Sequence, residues 1–271
     1  MLAARGFLDV AGKRLEYAHL GPQPAEAPTL VLLHEGLGSV GLWGDFPERL
    51  QRATGCGVFV FSRAGYGASD PVALPRPLDY MQREAREVLP PLLDAIGLRS
   101  GVLVGHSDGA SIAAVHLGQI RDPRIEAAVL IAPHFLVEEM CVAAIAEAKI
   151  AYETTDLRTR LARWHADVDV AFRGWNDAWL DPDFRFWDIR EALATVSRPM
   201  LVIQGADDQY GTLIQVETAR DLSPAPVVTE ILARVKHSPH REAAEATVAA
   251  ITRFFRAFPD LTVSRTLEPT R

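Results

Sequence analysis

Short, uninterrupted apolar segments recur along the chain and predict strands that are buried on both faces. Runs of this kind are typical of the inner strands of a parallel sheet. They lie at residues 29–33, 58–61, 101–104, 127–131 and 199–203. Ahead of them, two half-apolar stretches at 6–10 and 14–18 flank an Ala-Gly-Lys turn and predict a β-hairpin.

Helical patterns separate these runs and complete the prediction of the fold class. Apolar positions recur with helical spacing at residues 46–54, 81–96, 110–120, 212–222 and 241–258. Strands that alternate with helices predict an α/β fold with a doubly wound, mostly parallel sheet. In such a sheet the ligand site lies at the carboxyl ends of the strands, so residues that follow a strand are the first candidates for chemistry.

The alternation is interrupted once, over residues 134–196. Helix-prone stretches are followed there by an aromatic-rich segment, and four of the five tryptophans fall in this region. We predict that it is a helical cap, inserted into an α/β core formed by residues 1–133 and 197–258. The remaining residues, 259–271, are predicted to be a polar, poorly ordered tail.

Composition narrows the classes of partner and location. The 271 residues are 48% hydrophobic, enough for one sizeable core, and the formal net charge is −7 with no cluster of Lys or Arg. Neither nucleic acid nor a membrane surface is therefore expected as a partner. Cys56 and Cys141 fit no disulfide framework, and the first residues lack a signal-peptide pattern, so we expect a cytoplasmic protein. The oligomeric state stays open.

A candidate nucleophile lies directly between a predicted strand and a predicted helix. Residues 105–109 read Gly-His-Ser-Asp-Gly, which matches the G-x-S-x-G motif in the context that this motif requires. The sharp turn lifts the Ser107 hydroxyl above the strand end, and the next helix directs its first N–H groups to the same point. The neighbouring His106 is expected to pack away from Ser107 as a structural residue.

A serine nucleophile needs a base, and the base needs a carboxylate that orients it. On a fold of this kind the acid precedes the histidine along the chain. The run at 199–203 leads into Asp207 and Asp208, only one of which can point at the base. Glu138 and Glu139 are weaker rivals for the acid.

The candidate base lies in the last predicted loop, before the final helix. His237 and His240 compete for this role, and a histidine at a helix start, as at His240, also suits a structural one. The oxyanion needs two backbone donors. The first is the N–H of Asp108, which follows the nucleophile, and the second is expected from Gly36 in the glycine-rich loop at 34–39.

Taken in order, these segments resemble the α/β-hydrolase superfamily, in the branch that holds small esterases, enol-lactonases and carbon–carbon bond hydrolases. The resemblance covers about residues 15–258 and includes the segments at 34–38, 62–70, 105–109, 204–208 and 237–240. It implies Asp208 as the acid and His237 as the base. The usual His-Gly of that family reads His34-Glu35 here. We expect Glu35 to be a structural acceptor for its loop, with direct contact to the substrate as the alternative.

The walls of the substrate pocket are expected from two parts of the chain. His134 and Phe135 follow the predicted strand at 127–131. The cap supplies aromatic candidates, of which one or two are expected to reach the pocket. These are Trp175, Trp179, Phe184 and Trp187.

The sequence thus predicts a serine hydrolase that cleaves a small ester, lactone or thioester through an acyl-enzyme, with no metal or organic cofactor. One alternative is a carbon–carbon bond hydrolase acting on a diketone-type acid. That reaction needs a cation in the pocket, for which Arg173, Arg185 and Arg190 are the candidates. The other alternative is a receptor that binds a ligand on a hydrolase fold without turnover.

Overall fold

The computed structural model describes residues 1–261. Of the predicted tail at 259–271, only Pro259–Leu261 is described, as a single 3₁₀ turn. The prediction of a poorly ordered tail otherwise lies outside the described residues.

Within this range, eight strands form one sheet. They are β1 (Arg5–Val10), β2 (Lys13–Leu20), β3 (Thr29–Leu33), β4 (Gly57–Phe61), β5 (Gly101–His106), β6 (Ile125–Ile131), β7 (Met200–Gly205) and β8 (Val227–Leu232). Their spatial order is β1-β2-β4-β3-β5-β6-β7-β8. The hairpin strand β2 pairs antiparallel with β1 and β4, and the other neighbours are parallel. The predicted fold class is confirmed.

The extent of burial explains which strands could be predicted from the sequence. Every residue of β3, β4, β5 and β7 is buried, which is why each reads as an unbroken apolar run. The strand β8 was not predicted. It lies at the edge of the sheet, and only its last residue, Leu232, is buried, so it lacks such a run.

Helices cover both faces of the sheet. The core helices are α1 (Phe46–Thr54), α2 (Tyr80–Arg83), α3 (Leu89–Ala95), α4 (Asp108–Val115), α9 (Leu213–Leu222), α10 (Pro239–Glu242) and α11 (Ala244–Ala257). Alternate residues of β3 belong to two separate apolar clusters. Leu30 packs in the cluster that includes residues of α1 and α11, whereas Val31 packs with those of α3 and α4. The sheet therefore buries both of its faces, as a doubly wound fold requires.

The interrupted region is helical, as predicted. Between β6 and β7 lie α5 (Glu139–Thr154), α6 (Leu157–Leu161), α7 (Val168–Leu180) and α8 (Arg190–Leu193). The Asn176 side chain on α7 donates a hydrogen bond of 3.0 Å to the Ile145 carbonyl on α5 and joins the two longest of these helices. The predicted limits of the cap at 134 and 196 stay a prediction.

Helix length and hydropathy also bear on membrane insertion. Across residues 1–261, no helix is both long enough and apolar enough to cross a bilayer.

Candidate active site

Ser107 lies on a strained turn at the carboxyl end of β5. Its φ of 51° and ψ of −118° are uncommon for a residue with a side chain and cost on the order of 1–3 kcal/mol. The turn is held by the Ser107 N–H, which donates to the Ile131 carbonyl at 2.9 Å. A side chain at Gly109 would lie 2.0 Å from the Leu33 carbonyl oxygen, so only glycine lets α4 approach β3 this closely. The motif therefore holds Ser107 at the carboxyl ends of the parallel strands, where a ligand is expected.

Asp208 and His237 form a hydrogen-bonded pair behind the serine. The Nδ1–H of His237 donates to the carboxylate at 2.8 Å and 3.0 Å, which leaves Nε2 as the nitrogen that can accept a proton. The buried carboxylate also accepts the Tyr210 N–H at 2.8 Å and the Gln204 amide at 2.7 Å. Burial raises the pKa of Asp208, but the hydrogen bond and charge of His237, together with the Tyr210 N–H and His134, outweigh it, so the net pKa is lowered.

The rival acids lie in other surroundings. Asp207 is exposed. The Glu138 carboxylate accepts the Thr212 hydroxyl at 2.6 Å and so ties the start of α9 to the cap. Glu139 pairs with Arg185 at 2.7 Å on the surface. None of these carboxylates hydrogen-bonds to a histidine within the described residues.

The rival base, His240, is part of an aromatic cluster. Its ring centroid lies 4.9 Å from that of Trp43, 5.5 Å from Phe46 and 4.6 Å from His106. Burial lowers the pKa of His240 well below its ordinary value, so the ring is neutral at physiological pH. Its position suits a packing role at the start of α10.

One open cavity of about 130 Å³ collects most of the predicted site residues. Ser107 and His237 share its lining with the predicted residues Glu35, Gly36, His134, Trp175 and Trp179. Among the described residues, the serine hydroxyl makes no direct hydrogen bond to the imidazole. Contacts of this kind commonly tighten only when substrate binds.

Two predicted pocket residues lie outside the lining. Phe135 is completely buried, and its N–H donates to the Gln215 side chain at 2.8 Å. Trp187 stacks on Phe184 with centroids 5.5 Å apart, and its Nε1–H donates to Gln82. Both aromatics face the interior because the cap must also bury its own apolar surface.

Among the described residues, the N–H groups of the two predicted oxyanion donors make no hydrogen bond to a protein acceptor. Asp108 is the first residue of α4, where helix geometry supplies no acceptor for the N–H. Gly36 donates no backbone hydrogen bond within residues 1–261. Trp175 packs against this glycine so closely that a Cβ would meet its ring carbon at 2.1 Å. The cap and the loop therefore meet beside the cavity.

A buried arginine fixes the peptide group that carries the Gly36 N–H. The wholly buried Arg63 donates from Nη2 to the Glu35 carbonyl at 2.9 Å, and the Nδ1–H of His34 donates to the same oxygen at 2.7 Å. His34 Nε2 in turn accepts the Arg63 N–H at 3.0 Å, so the ring is the neutral Nδ1–H tautomer. Burial, helped by the Arg63 charge, lowers the pKa of His34 accordingly. Sequence reasoning gave Arg63 no role.

The same arginine also lies near Asp108, the other predicted oxyanion donor. Its Nη2 lies 3.8 Å from the Asp108 carboxylate, which accepts the Tyr80 hydroxyl at 2.5 Å. Trp179 of the cap donates to that hydroxyl at 3.1 Å. Both predicted donors are therefore supported by one buried polar network.

Glu35 is not held by its loop, contrary to the structural role expected for it. Its side chain is 21% exposed and lines the cavity, and the nearest polar group is His106 Nδ1 at 3.3 Å. Burial raises the pKa of Glu35, but the hydrogen bond and charge of His106 outweigh it, so the pKa lies well below its usual range. His106, expected to face away, also lines the cavity and donates from Nε2 to the His237 carbonyl at 2.8 Å.

Sequence reasoning missed several other lining residues. Tyr210 follows the acid by two residues, and its ring centroid lies 4.7 Å from that of His237. Cys141 and Ile145 line the cavity from α5. Their four-residue spacing places them on one helix face, and this is the signal that could have found them. Cys141 is a free, buried thiol, and burial raises its pKa, so it is a poor nucleophile.

No group of three or more His, Cys, Asp or Glu side chains among residues 1–261 could hold a metal ion. The predicted absence of a cofactor stays a prediction.

Comparison with known proteins places the chain in a family. The model of the alpha/beta hydrolase family matches residues 30–250, more than half of the chain. No curated protein sequence matches the chain.

Solved structures share the fold over almost the whole chain. The enol-lactonase from Burkholderia xenovorans LB400 is 20% identical with a TM-score of 0.70, and 93% of this chain covers 100% of it. The meta-cleavage product hydrolase from Pseudomonas fluorescens IP01 is 17% identical with a TM-score of 0.69, over 93% of this chain and 98% of that one. The esterase from Rhodococcus sp. ECU1013 is 18% identical with a TM-score of 0.70, over 94% and 99%. At these identities the likeness shows the fold. The match to the family model over residues 30–250 confirms the predicted family and the prediction of an enzyme: the chain belongs to the alpha/beta hydrolase family.

Proposed function

We propose that the protein is a serine hydrolase that cleaves a small ester, lactone or thioester through an acyl-enzyme. The observation that carries the proposal is the Asp208–His237 pair, which shares one cavity with Ser107 on its strained turn. A base oriented by a carboxylate, together with a serine at a strand end, is the arrangement that nucleophilic acyl transfer requires.

In the proposed reaction, His237 Nε2 takes the proton of the Ser107 hydroxyl while Oγ attacks the carbonyl carbon. The N–H groups of Gly36 and Asp108 hold the oxyanion, and Asp208 stabilises the imidazolium. The intermediate collapses to the acyl-enzyme, and the leaving group takes the proton from His237. A water molecule then gives a proton to His237 and attacks the acyl carbon. The bond between the acyl carbon and Ser107 Oγ breaks, and His237 returns the proton to Oγ, which releases the acid and restores Ser107.

The size of the cavity supports a small acyl group. A cavity of 150 Å³ holds one benzene molecule, so about 130 Å³ suits a group of roughly five or six heavy atoms. Trp175, Trp179 and Ile145 form its apolar part. Longer parts of a substrate would extend through the open mouth.

The carbon–carbon bond alternative receives less support from the lining. The cap arginines proposed for it lie on the surface: Arg173 is exposed, Arg185 pairs with Glu139, and Arg190 pairs with Asp188. The cavity instead presents a carboxylate, Glu35, where an acidic substrate would need a cation.

The proposal is tested by turnover on a panel of short p-nitrophenyl esters, thioesters, lactones, amides and one diketone-type acid. Ser107→Ala should lower ester turnover by about 10⁴-fold or more. Ser238→Ala, which removes another hydroxyl from the same cavity, should still turn over and serves as the matched control. Cleavage of the diketone acid alone would favour the carbon–carbon alternative. Stoichiometric binding without turnover on the whole panel would favour the receptor.

We also propose a cytoplasmic location, supported by Cys56 and Cys141, which are both free.

A further inference from the structure

The charge of the cavity lining comes from one residue. Glu35 is the one carboxylate on it, and no Lys or Arg belongs to the lining among the described residues. The remaining polar side chains there are hydroxyls, imidazoles, indoles and the Cys141 thiol, and one of these, His134, is neutral because burial lowers its pKa to about 3. A ligand that enters the cavity therefore meets the negative charge of Glu35 and no Lys or Arg among the described residues.

Half of the acceptor capacity of Glu35 is unused. His106 Nδ1 lies 3.3 Å from Oε2 and is the one polar side-chain partner of the carboxylate among the described residues. The other oxygen, Oε1, accepts no hydrogen bond within residues 1–261. The carboxylate also lies close over Gly38, where a Cβ would meet Oε2 at 2.4 Å, so its position is restricted. Buried or half-buried polar groups in proteins are almost always paired, so unpaired ones at a cavity point to a ligand.

Aromatic rings complete the surroundings of this carboxylate. Trp175 packs directly on Gly36, the residue after Glu35, so an indole and a carboxylate flank the same part of the cavity. Trp179 and Tyr210 line the cavity as well. Aromatic faces attract Lys-like ammonium groups and quaternary ammonium groups, most strongly when water is excluded.

From this lining we propose that the substrate carries an ammonium group, which Glu35 binds as its counter-ion with Trp175 as the aromatic wall. The proposal names the substrate class of the proposed hydrolase and, for turnover, rests on that function. Its binding part does not depend on turnover. Substrates that carry a carboxylate are disfavoured by the same charge.

Three linear molecules of equal length test the charge alone. Butylammonium, 1-butanol and butyrate compete with p-nitrophenyl acetate at pH 8, where the amine is still charged. We expect butylammonium to inhibit at a concentration at least about fivefold lower than butanol, and butyrate to inhibit least. In Glu35→Gln the advantage of butylammonium over butanol should disappear.

The matched control is Asp207→Asn, which removes an exposed negative charge next to Asp208 but outside the lining. It should keep the full preference for butylammonium. Equal inhibition by the three molecules in the wild type, or an unchanged preference in Glu35→Gln, would overturn the proposal.

A failure of the proposed function gives a different result. If no ester is turned over, binding of the same three molecules is read from tryptophan fluorescence, because Trp175 and Trp179 line the cavity. The same order of affinities, lost in Glu35→Gln, would support an ammonium site in a protein without hydrolase activity. Absence of that order would reject the ammonium site whether or not esters are cleaved.

Discussion

Two walls of one cavity differ in how their polar groups are satisfied. The catalytic wall consists of Ser107 and His237, with Asp208 behind them, and the recognition wall consists of Glu35, His134 and Trp175. Asp208 accepts hydrogen bonds from three partners. On the recognition wall, His106 is the one partner of the Glu35 carboxylate within residues 1–261, and Nδ1 of His134 is buried without a partner.

This difference indicates that the two walls have separate roles in the proposed function. The fully paired carboxylate of Asp208 is held in one geometry and orients His237 in the same way for any substrate. Unpaired groups at the cavity gain partners only from a ligand, so they select which substrate binds. In the proposed function, the catalytic wall carries the reaction, and the recognition wall carries the preference for a substrate.

The largest expected effect comes from a substitution on the catalytic wall, at Asp208. Asp208→Asn should lower kcat by about 10³- to 10⁴-fold, because an amide cannot hold the imidazole in the Nδ1–H tautomer or stabilise its charge. The measurement is steady-state turnover of p-nitrophenyl acetate. Asp207→Asn is the matched control and should stay within about twofold of the wild type, as expected of an exposed surface position. The opposite ranking of the two variants would exchange their roles.

A smaller effect on kcat is expected from Arg63, which hydrogen-bonds to the loop at 34–39 that carries the predicted oxyanion donor Gly36. Arg63→Met should lower kcat by about 10- to 100-fold with little change in KM, because the Glu35–Gly36 peptide loses a charged partner at 2.9 Å. Affinity for a boronic acid that mimics the oxyanion should fall in parallel.

The control for this prediction is Arg76→Met. Arg76 is also buried and donates to the Ala64 carbonyl at 3.0 Å, but it makes no hydrogen bond to residues 34–39 within the described part of the chain. It should lose stability without the matching loss of boronic acid affinity. An Arg63→Met enzyme that binds the boronic acid as tightly as the wild type would contradict the positioning role.

The smallest expected effect concerns the protonation of His134 on the recognition wall, which changes how the unfolding free energy depends on pH. Burial lowers the pKa of His134 to about 3, so near pH 5 the ring is neutral when folded and protonated when unfolded. Unfolding then takes up about one proton, and stability falls as the pH falls from about 6.5 towards 3. His134→Gln should reduce the slope of the unfolding free energy against pH by about 1.4 kcal/mol per pH unit near pH 5. Urea unfolding at several pH values measures it, and an unchanged slope would contradict the neutral ring.

The fold was predictable wherever burial leaves a pattern in the sequence. The run at 29–33 coincides with β3, and the helical pattern at 46–54 coincides with α1. The edge strand β8 could not be recognised in this way, because one-sided exposure breaks its apolar run.

The candidate site was predictable only in part. Motif and chain order were sufficient to propose Ser107 and to narrow the acid and the base to neighbouring candidates, and the resemblance to the α/β-hydrolase superfamily selected Asp208 and His237 among them. The lining depends on how the cap packs on the sheet, which no local pattern encodes. Phe135 and Trp187 therefore face the interior, whereas Tyr210 and Cys141 reach the cavity.

The most direct test of the central claim is the site of covalent labelling. The purified protein is treated with a fluorophosphonate, and the modified peptide is identified by mass spectrometry. We expect one phosphonyl group on Ser107, formed rapidly in the wild type and far more slowly in Asp208→Asn. Ester turnover that survives complete labelling, or a label on any other residue, would contradict it.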